Sequence, residues 1–386
     1  MHETIAGGGA TSSRELIATA TQQLGEEAKS QMQSVSTLSR SIRNWRQSVL
    51  AIPAIPRSRV GYEIPETFKH LTDGSLFLAF DSGIDDPDRI LIFATESGLD
   101  DLVVHTSWAC DGTFKSSPSL WMQLCTIHVV IKNLSLPRVF ALLPNKQETT
   151  YRSLFEAIFN LRPNIQPTDC LMDFEKAMNN AFVSIFPNAH LSGCLFHFGQ
   201  SCWRKICDIG KKMQYNRDPS FSLKIKCFNA LAFLPPNDVA DAFEILSDDD
   251  DVPSDFIVFF ERTYIGIQWG RGERRRREMP IFPIEIWNVR ERVLQDLPRT
   301  NNAVEGFHSA LRSSLTTTHP NLWKLCSALQ KEEALTKTKL VHISRGDNSC
   351  QKKMYKKINE KLKRLVESYD NTNVREFLKG VAYNLH

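Results

Sequence analysis

The chain has 386 residues, and its hydrophobic fraction of 42% and charged fraction of 24% are ordinary for a folded protein. The length predicts two or three domains, and the net charge of +3 is too small to indicate a nucleic-acid partner by itself. No apolar run reaches the roughly 18 residues that a membrane span needs, so we expect no membrane partner. Nine cysteines with no signal peptide before them favour reduced thiols in an intracellular protein over a disulfide framework.

The first part of the chain, residues 1–60, predicts a disordered start and a helical N-terminal segment. Residues 1–12 are small and polar, which is typical of disorder. From residue 13 to 50 the apolar residues are spaced at three and four, which predicts helices. The proline-containing stretch "AIPAIPRS" then predicts a linker.

From about residue 75 the pattern changes to strands. "SLFLAFDSG" and "DRILIFATES" predict a first pair of strands. Three further runs, rich in β-branched and aromatic residues and separated by short turns, predict an antiparallel meander; they are "DLVVHTSWACDG", "LWMQLCTIHVVIK" and "PRVFALLP". Helix, strand, helix and strand then alternate in "QETTYRSLFEAIFNLRP", "DCLMDFE", "EKAMNNAFVSIFP" and "AHLSGCLFH".

This order predicts an α/β fold with a mixed sheet and flanking helices. Three antiparallel strands followed by alternating helices and strands is the order of ribonuclease H-like folds, so residues 75–197 are expected to form the first part of such a catalytic domain. Residues 198–298 differ in composition and predict a mostly helical insertion. Helical patterns resume in residues 299–335, and residues 336–386 predict a basic helical C-terminal segment.

Three acidic residues stand at the boundaries of predicted elements. Asp111 ends the first strand of the meander, Asp173 ends or follows the fourth strand, and Glu305 lies in the first turns of a helix. Each has an ordinary alternative: a turn at Asp111-Gly112, a helix N-cap at Asp173, and a favourable charge at a helix start for Glu305. In a ribonuclease H-like sheet the first and fourth strands are neighbours, so Asp111 and Asp173 are expected to face each other. Three carboxylates that meet would suit two Mg²⁺ ions acting on a DNA phosphodiester.

At these residues the sequence resembles the transposase domain of the Mutator-like element (MULE) family. The resemblance covers roughly residues 75–335 and is carried by "CDGTFKSSP", "LWMQLCTIHVV", "VFALLPNKQETTYRSLFEAI", "CLMDFEKAMNNAFVSIFPNAHLSGCLFHFGQS" and "RTNNAVEGFHSALRSSL". It implies a ribonuclease H-like catalytic domain of the Asp-Asp-Glu type, with a helical insertion between the second Asp and the Glu. Asp111, Asp173 and Glu305 fall on the three acidic positions of the family, where they would be both catalytic residues and ligands of two Mg²⁺ or Mn²⁺ ions.

The family also carries a Cys-x-x-His element, which is Cys194 and His197 here. This pair is half of a zinc site, and His190, Cys202 and Cys207 are near in sequence. Burial of the cysteine as a small apolar residue is the stronger alternative, so we do not expect a structural zinc ion. Support of Asp173 through hydrogen bonds is the role we expect for the pair.

Two further segments bear on DNA binding. The family often has an N-terminal zinc finger, but residues 1–74 contain no cysteine, so either the chain is a fragment of a longer product or residues 13–60 bind DNA in another way. A dense basic run suits phosphate binding or nuclear import. Interleaved Glu273 and Glu278 leave a salt-bridged surface as the alternative. The arginines of this run are Arg271, Arg274, Arg275, Arg276 and Arg277.

The leading hypothesis is a nuclear DNA transposase of the Mutator-like type. It would hydrolyse a phosphodiester at a transposon end and transfer the freed 3′ hydroxyl to target DNA, and it could act as a homo-oligomer. The alternative is a catalytically inactive or domesticated transposase that binds DNA or protein without cutting. A ribonuclease acting on RNA–DNA hybrids is disfavoured by the 132 residues between Asp173 and Glu305.

Overall fold

A computed structural model describes residues 13–22, 24–49, 53–131, 134–270, 276–346 and 353–385, without the side chains of residues 46–49 and 353–354. The chain divides into two compact units at residues 57 and 58. The first unit is helical, as the spacing of its apolar residues predicts. Its helices are α1 (Ser13–Thr21), α2 (Glu26–Ser30) and α3 (Val35–Val49).

The second unit is built on a mixed sheet of seven strands. Their spatial order across the sheet is β1, β2, β5, β4, β3, β6 and β7. Neighbouring strands among the first five in this order are antiparallel, whereas β6 runs parallel to both β3 and β7. The predicted α/β class with a mixed sheet is therefore confirmed. The strands are β1 (Leu78–Asp81), β2 (Leu91–Phe93), β3 (Ser107–Thr113), β4 (Gln123–Ile131), β5 (Leu134–Leu143), β6 (Asp169–Met172) and β7 (His190–Gly193).

One predicted strand is partly wrong. The run "DLVVHTSWACDG" was expected to be a single strand, but its first residues end a helix and β3 begins only at Ser107. The helix starts after Thr95, whose hydroxyl accepts a hydrogen bond from the backbone N–H of Gly98. Leu99 and Leu102 are buried three residues apart, which suits a helix, and a short apolar run cannot distinguish the two structures.

Helices cover both faces of the sheet. One face packs against the helix just described, α5 (Glu96–Val104), and against α6 (Glu148–Leu161) and α7 (Lys176–Ile185) through a large apolar cluster. The other face packs against α4 (Glu66–Lys69), α15 (Asn302–Leu315) and α16 (Leu322–Ser344). The two apolar clusters fix the sheet between them, so the ends of its strands form a rigid base for side chains.

Residues 195–294 are mostly helical and have their own apolar cluster. Phe198 and Trp287 stack within it at 5.0 Å between ring centroids. Its α-helices are α8 (Leu195–Asp208), α9 (Lys212–Arg217), α10 (Pro219–Ala230), α11 (Val239–Ser247), α12 (Ser254–Phe260), α13 (Ile284–Trp287) and α14 (Arg290–Leu294). The region also contains two 3-10 helices (Leu231–Phe233 and Pro236–Asp238), a π-helix (Glu261–Ile265) and an antiparallel pair of short strands, β8 (Gln268–Trp269) and β9 (Arg276–Arg277).

The C-terminal helices join the same apolar cluster. These are α17 (Lys353–Glu367) and α18 (Val374–Ala382), whose Leu362, Val366 and Leu378 are buried there.

Eight of the nine cysteines lie in the described residues, and all eight are free thiols. None of the helices in the described ranges is long and apolar enough to cross a membrane.

Candidate functional site

Asp111 and Asp173 lie at one edge of the sheet, the edge at which the neighbouring parallel strands β3 and β6 end. β3 and β6 are parallel neighbours, and their register pairs Ala109 with Leu171. Asp111 lies two residues after Ala109, within β3, and Asp173 lies two residues after Leu171, just after the end of β6. Because neighbouring strands lie about 4.8 Å apart, the two carboxylates start from adjacent backbone positions. Asp173 is not a helix N-cap, since Glu175 precedes the first residue of α7.

The predicted turn at Asp111-Gly112 is wrong. β3 continues to Thr113, and Gly112 pairs with Cys125 of β4. Gly112 is needed for space: a Cβ atom there would lie 2.3 Å from Oε1 of Gln123, a buried side chain. The sequence favours a turn because Asp-Gly is common in turns. The sequence does not show that Gln123 lies close to Gly112 across the sheet.

Helix α15 brings Glu305 to the same edge. Val304, in the first turn of the helix, packs against Ala109 and Leu171 in a small apolar cluster on the sheet. This contact holds the start of α15 over the ends of β3 and β6. Partial burial raises the pKa of Glu305, and the negative charges of Asp111 and Asp173 act in the same direction. We call Asp111, Asp173 and Glu305 the carboxylate cluster.

The Cys-x-x-His element lies against this cluster at the start of α8. Cys194 is buried directly before the helix, and His197 is in its first turn. Nδ1 of His197 lies 2.7 Å from Oδ1 of Asp173, and its Nε2 lies 3.6 Å from Oε1 of Glu305. The imidazole therefore stands between two of the three carboxylates. Asp173, and next the thiol of Cys194, raise the pKa of His197 to about 10.

The residues at this site could hold a cation. One ligand atom each from Asp173, Cys194 and His197 lies within 4.8 Å of the others. Nδ1 of His197 is buried and lacks a well-aligned hydrogen bond despite its close approach to Asp173. Among the described residues, the ion-pair partners of the carboxylate cluster are His197 and His308, with no lysine or arginine. The oxygens of Asp111, Asp173 and Glu305 do not all lie within 4.8 Å of one another, and the ring of His197 stands between two of these carboxylates. Carboxylate oxygens are nevertheless the ligands that a hard divalent cation prefers.

Asn301 is a site residue that sequence reasoning missed. Its side-chain amide donates to the carbonyl of Cys110 at 3.2 Å and to Oδ1 of Asp173 at 3.4 Å. Its backbone N–H lies 3.2 Å from Sγ of Cys194. An asparagine just before a helix usually suggests an N-cap, but this side chain makes no cap bond and points into the site. Asn301 thus ties the start of α15 to both strands.

His308 is a second residue that was missed. Its Nδ1 lies 3.2 Å from Oδ2 of Asp111, and the ring is buried. It follows Glu305 by three residues, so both side chains lie on the same side of α15. That spacing in "VEGFHSAL" is the sequence signal that could have identified it.

Two arginines of the basic run, Arg276 and Arg277, lie in the described residues and form β9. Arg271, Arg274 and Arg275 are outside the described residues. Arg276 is exposed on β9. Arg277 pairs with Glu244 and Glu261 at 2.8 and 2.9 Å, so its guanidinium is engaged within the fold.

Comparison with known proteins assigns part of this site to a family. Residues 107–201 match the family model of the MULE transposase domain. The matched segment runs from β3 into α8 and contains Asp111, Asp173, Cys194 and His197. The predicted resemblance is therefore confirmed over these residues, and a transposase domain implies DNA as its partner. No curated protein matches the chain.

Proposed function

We propose that the chain is a DNA transposase of the Mutator-like type, which hydrolyses a phosphodiester at a transposon end and joins the freed 3′ hydroxyl to target DNA. The observation that carries this proposal is the approach of Asp111, Asp173 and Glu305 at one edge of the sheet. The first two lie within the segment that matches the transposase family. Action on chromosomal DNA would take place in the nucleus.

The topology of the sheet supports a ribonuclease H-like catalytic domain. The meander β3, β4 and β5 is antiparallel, and β6 and β7 add in parallel beside β3. The first and fourth strands of this series are therefore neighbours, as such a fold requires. Residues 198–298 would be the insertion that separates the second aspartate from the glutamate.

The carboxylate cluster would hold two Mg²⁺ or Mn²⁺ ions. When bound, such ions stabilise negative charge on the attacking and leaving oxygens of a phosphodiester. Asp111 and Asp173 would supply oxygen ligands from the two strands, and Glu305 from the helix above them. All three are carboxylates, which are the ligands that these hard cations prefer.

Cys194 and His197 would orient Asp173 in this arrangement. A thiolate and an imidazole are typical ligands of zinc, so the group of Asp173, Cys194 and His197 could compete for that ion. We assign His197 to holding Asp173 by its close contact, and Cys194 to anchoring the backbone of Asn301. A zinc content well below one ion per chain in metal analysis of the purified protein would support this assignment.

The direct test is metal-dependent nicking of supercoiled plasmid by the full chain. We expect nicking in Mg²⁺ or Mn²⁺ that stops on chelation. Asp111→Asn, Asp173→Asn and Glu305→Gln should each lose it while DNA binding, measured by gel shift, is retained. Glu291→Gln is a matched control, because Glu291 is an exposed glutamate in the first turn of another helix, α14.

Two outcomes would oppose the proposal. Nicking by Asp111→Asn at the wild-type rate would exclude the assigned site. DNA binding by the wild-type chain without metal-dependent cleavage, on plasmid and on linear duplex, would favour the alternative of a transposase-derived binding module. If Glu305 served only as a favourable charge at the start of its helix, Glu305→Gln and Glu291→Gln would change plasmid nicking equally.

A further inference from the structure

A chain of polar side chains, of which His308, Thr126 and His128 are buried, leads from Asp111 into the middle of the sheet. Nε2 of His308, the ring next to Asp111, lies 2.9 Å from Oγ1 of Thr126. The same hydroxyl lies 3.0 Å from Nε2 of His128, whose Nδ1 lies 3.1 Å from Oγ of Ser135. Buried polar groups are costly unless they are bonded, so these contacts fix the orientation of both rings.

The fold explains why these residues meet. Thr126 is directly opposite Asp111 in the pairing of β3 with β4. Thr126 and His128 are two residues apart on one strand, so both face α15. His308 extends from α15 toward them, and Phe307 packs edge-on against the ring of His128 at 5.2 Å.

The direction of the first hydrogen bond follows from chemistry. Nδ1 of His308 lies 3.2 Å from Oδ2 of Asp111 as an ion-pair contact. An ionised carboxylate only accepts hydrogen bonds, so a hydrogen bond between these two atoms runs from Nδ1–H to Oδ2. In the tautomer that carries its proton on Nδ1, Nε2 of His308 is the acceptor in the 2.9 Å contact with the hydroxyl of Thr126. The other oxygen of Asp111, Oδ1, accepts from the backbone N–H of Gly112 at 2.7 Å. Each oxygen of the carboxylate is thus contacted by one nitrogen atom.

We propose that His308 is a positioning residue that orients Asp111 through its Nδ1–H, and that Thr126 and His128 hold this ring in place. The role rests on the proposed function, in which Asp111 binds a divalent cation. His308 reaches the cation only through Asp111. Loss of such a supporting hydrogen bond typically weakens metal binding or activity by about 10–100-fold.

Substitutions of His308 distinguish the roles of its two ring nitrogens. The amide of an asparagine can replace Nδ1–H, whereas the longer glutamine replaces Nε2. We expect Mn²⁺ affinity, measured by electron paramagnetic resonance on the full chain, to fall about 10–100-fold in His308→Ala and His308→Gln. His308→Asn should retain most of it. Ser309→Ala, on the exposed side of the same helix, is the control.

A second variant keeps His308 and changes only its support. Thr126→Val preserves the shape of the side chain and removes the hydroxyl between the two rings. We expect weaker Mn²⁺ binding in this variant and recovery in Thr126→Ser. Equal Mn²⁺ affinity in His308→Ala, His308→Gln, Thr126→Val and wild type would overturn the positioning role.

Nitrogen NMR of histidine-labelled, metal-free protein tests the geometry without catalysis. The signal that disappears in His308→Asn belongs to His308, and we expect its Nδ1 to carry a proton. An unprotonated Nδ1 would overturn the proposal. If plasmid nicking fails while Mn²⁺ affinity and NMR follow the expected pattern, the proposed reaction is wrong and the positioning role stands. If wild type, His308→Ala and His308→Gln nick and bind Mn²⁺ equally, the positioning role is wrong and the proposed function stands.

Discussion

Replacement of Gly112 by alanine tests how the site is built into the sheet. The added Cβ would lie 2.3 Å from Oε1 of Gln123, against about 3.4 Å for an ordinary contact, so one of the two must move by about 1 Å. Gln123 is buried and donates to the hydroxyl of Tyr151, which donates to Glu175. Overpacking costs about 1–3 kcal/mol, and loss of the Gln123 hydrogen bond about 1 kcal/mol more. We therefore expect Gly112→Ala to lower the free energy of unfolding by about 2–4 kcal/mol.

A double-mutant cycle identifies the cause. Unfolding in urea gives the cost of Gly112→Ala in the wild type and in Gln123→Ala, where the opposing amide is absent. We expect the cost to fall by at least about 1 kcal/mol in the second background, because contacting residues couple by that order. Gly112 does not have a positive φ, so backbone strain contributes nothing. An equal cost in both backgrounds would refute the steric explanation and favour a backbone requirement of the kind that a turn imposes.

Three other substitutions test separate parts of the structure by urea unfolding. Glu333→Ala should cost about 3–5 kcal/mol, because it leaves the buried guanidinium of Arg138 without one of its partners; a cost below about 1 kcal/mol would contradict this. Gly193→Ala should cost about 1–3 kcal/mol, since its Cβ would lie 2.4 Å from the ring of Phe174; no loss would show that the ring moves freely. Gly306→Ala, in α15 with open space around it, should stabilise by up to about 1 kcal/mol with unchanged plasmid nicking, and destabilisation would contradict the open helix face.

The three strands of the meander could be predicted from the sequence because they are 7, 9 and 10 residues long and mostly apolar. The order of the meander and of the alternating helices and strands follows from such local patterns, as at β4 and α6. The boundary at Ser107 could not be predicted, since the apolar residues before it suit a helix and a strand equally well. The register between β3 and β6, which sets Asp111 beside Asp173, depends on packing between distant segments.

The candidate site shows the same division. Asp111, Asp173 and Glu305 were selected as candidates because polar residues there interrupt apolar patterns, but Asp111 lies within β3 and not at the expected end of the strand. Asn301 and His308 were not predicted, because their local surroundings suggest a helix cap and an amphipathic helix. Their contacts with Asp173 and Asp111 span 128 and 197 residues, and only the folded chain brings them together.

The carboxylate cluster is proposed to bind divalent cations for phosphodiester chemistry. A crystal of the full chain grown with Mn²⁺ tests this proposal most directly, because anomalous scattering locates the ion. We expect Mn²⁺ bound by oxygen atoms of both Asp111 and Asp173, with Glu305 as a further ligand, and loss of that signal in Asp111→Asn. Mn²⁺ held only by Asp173, Cys194 and His197, or no ion near the three carboxylates at saturating Mn²⁺, would contradict the assignment of the carboxylate cluster as the metal site.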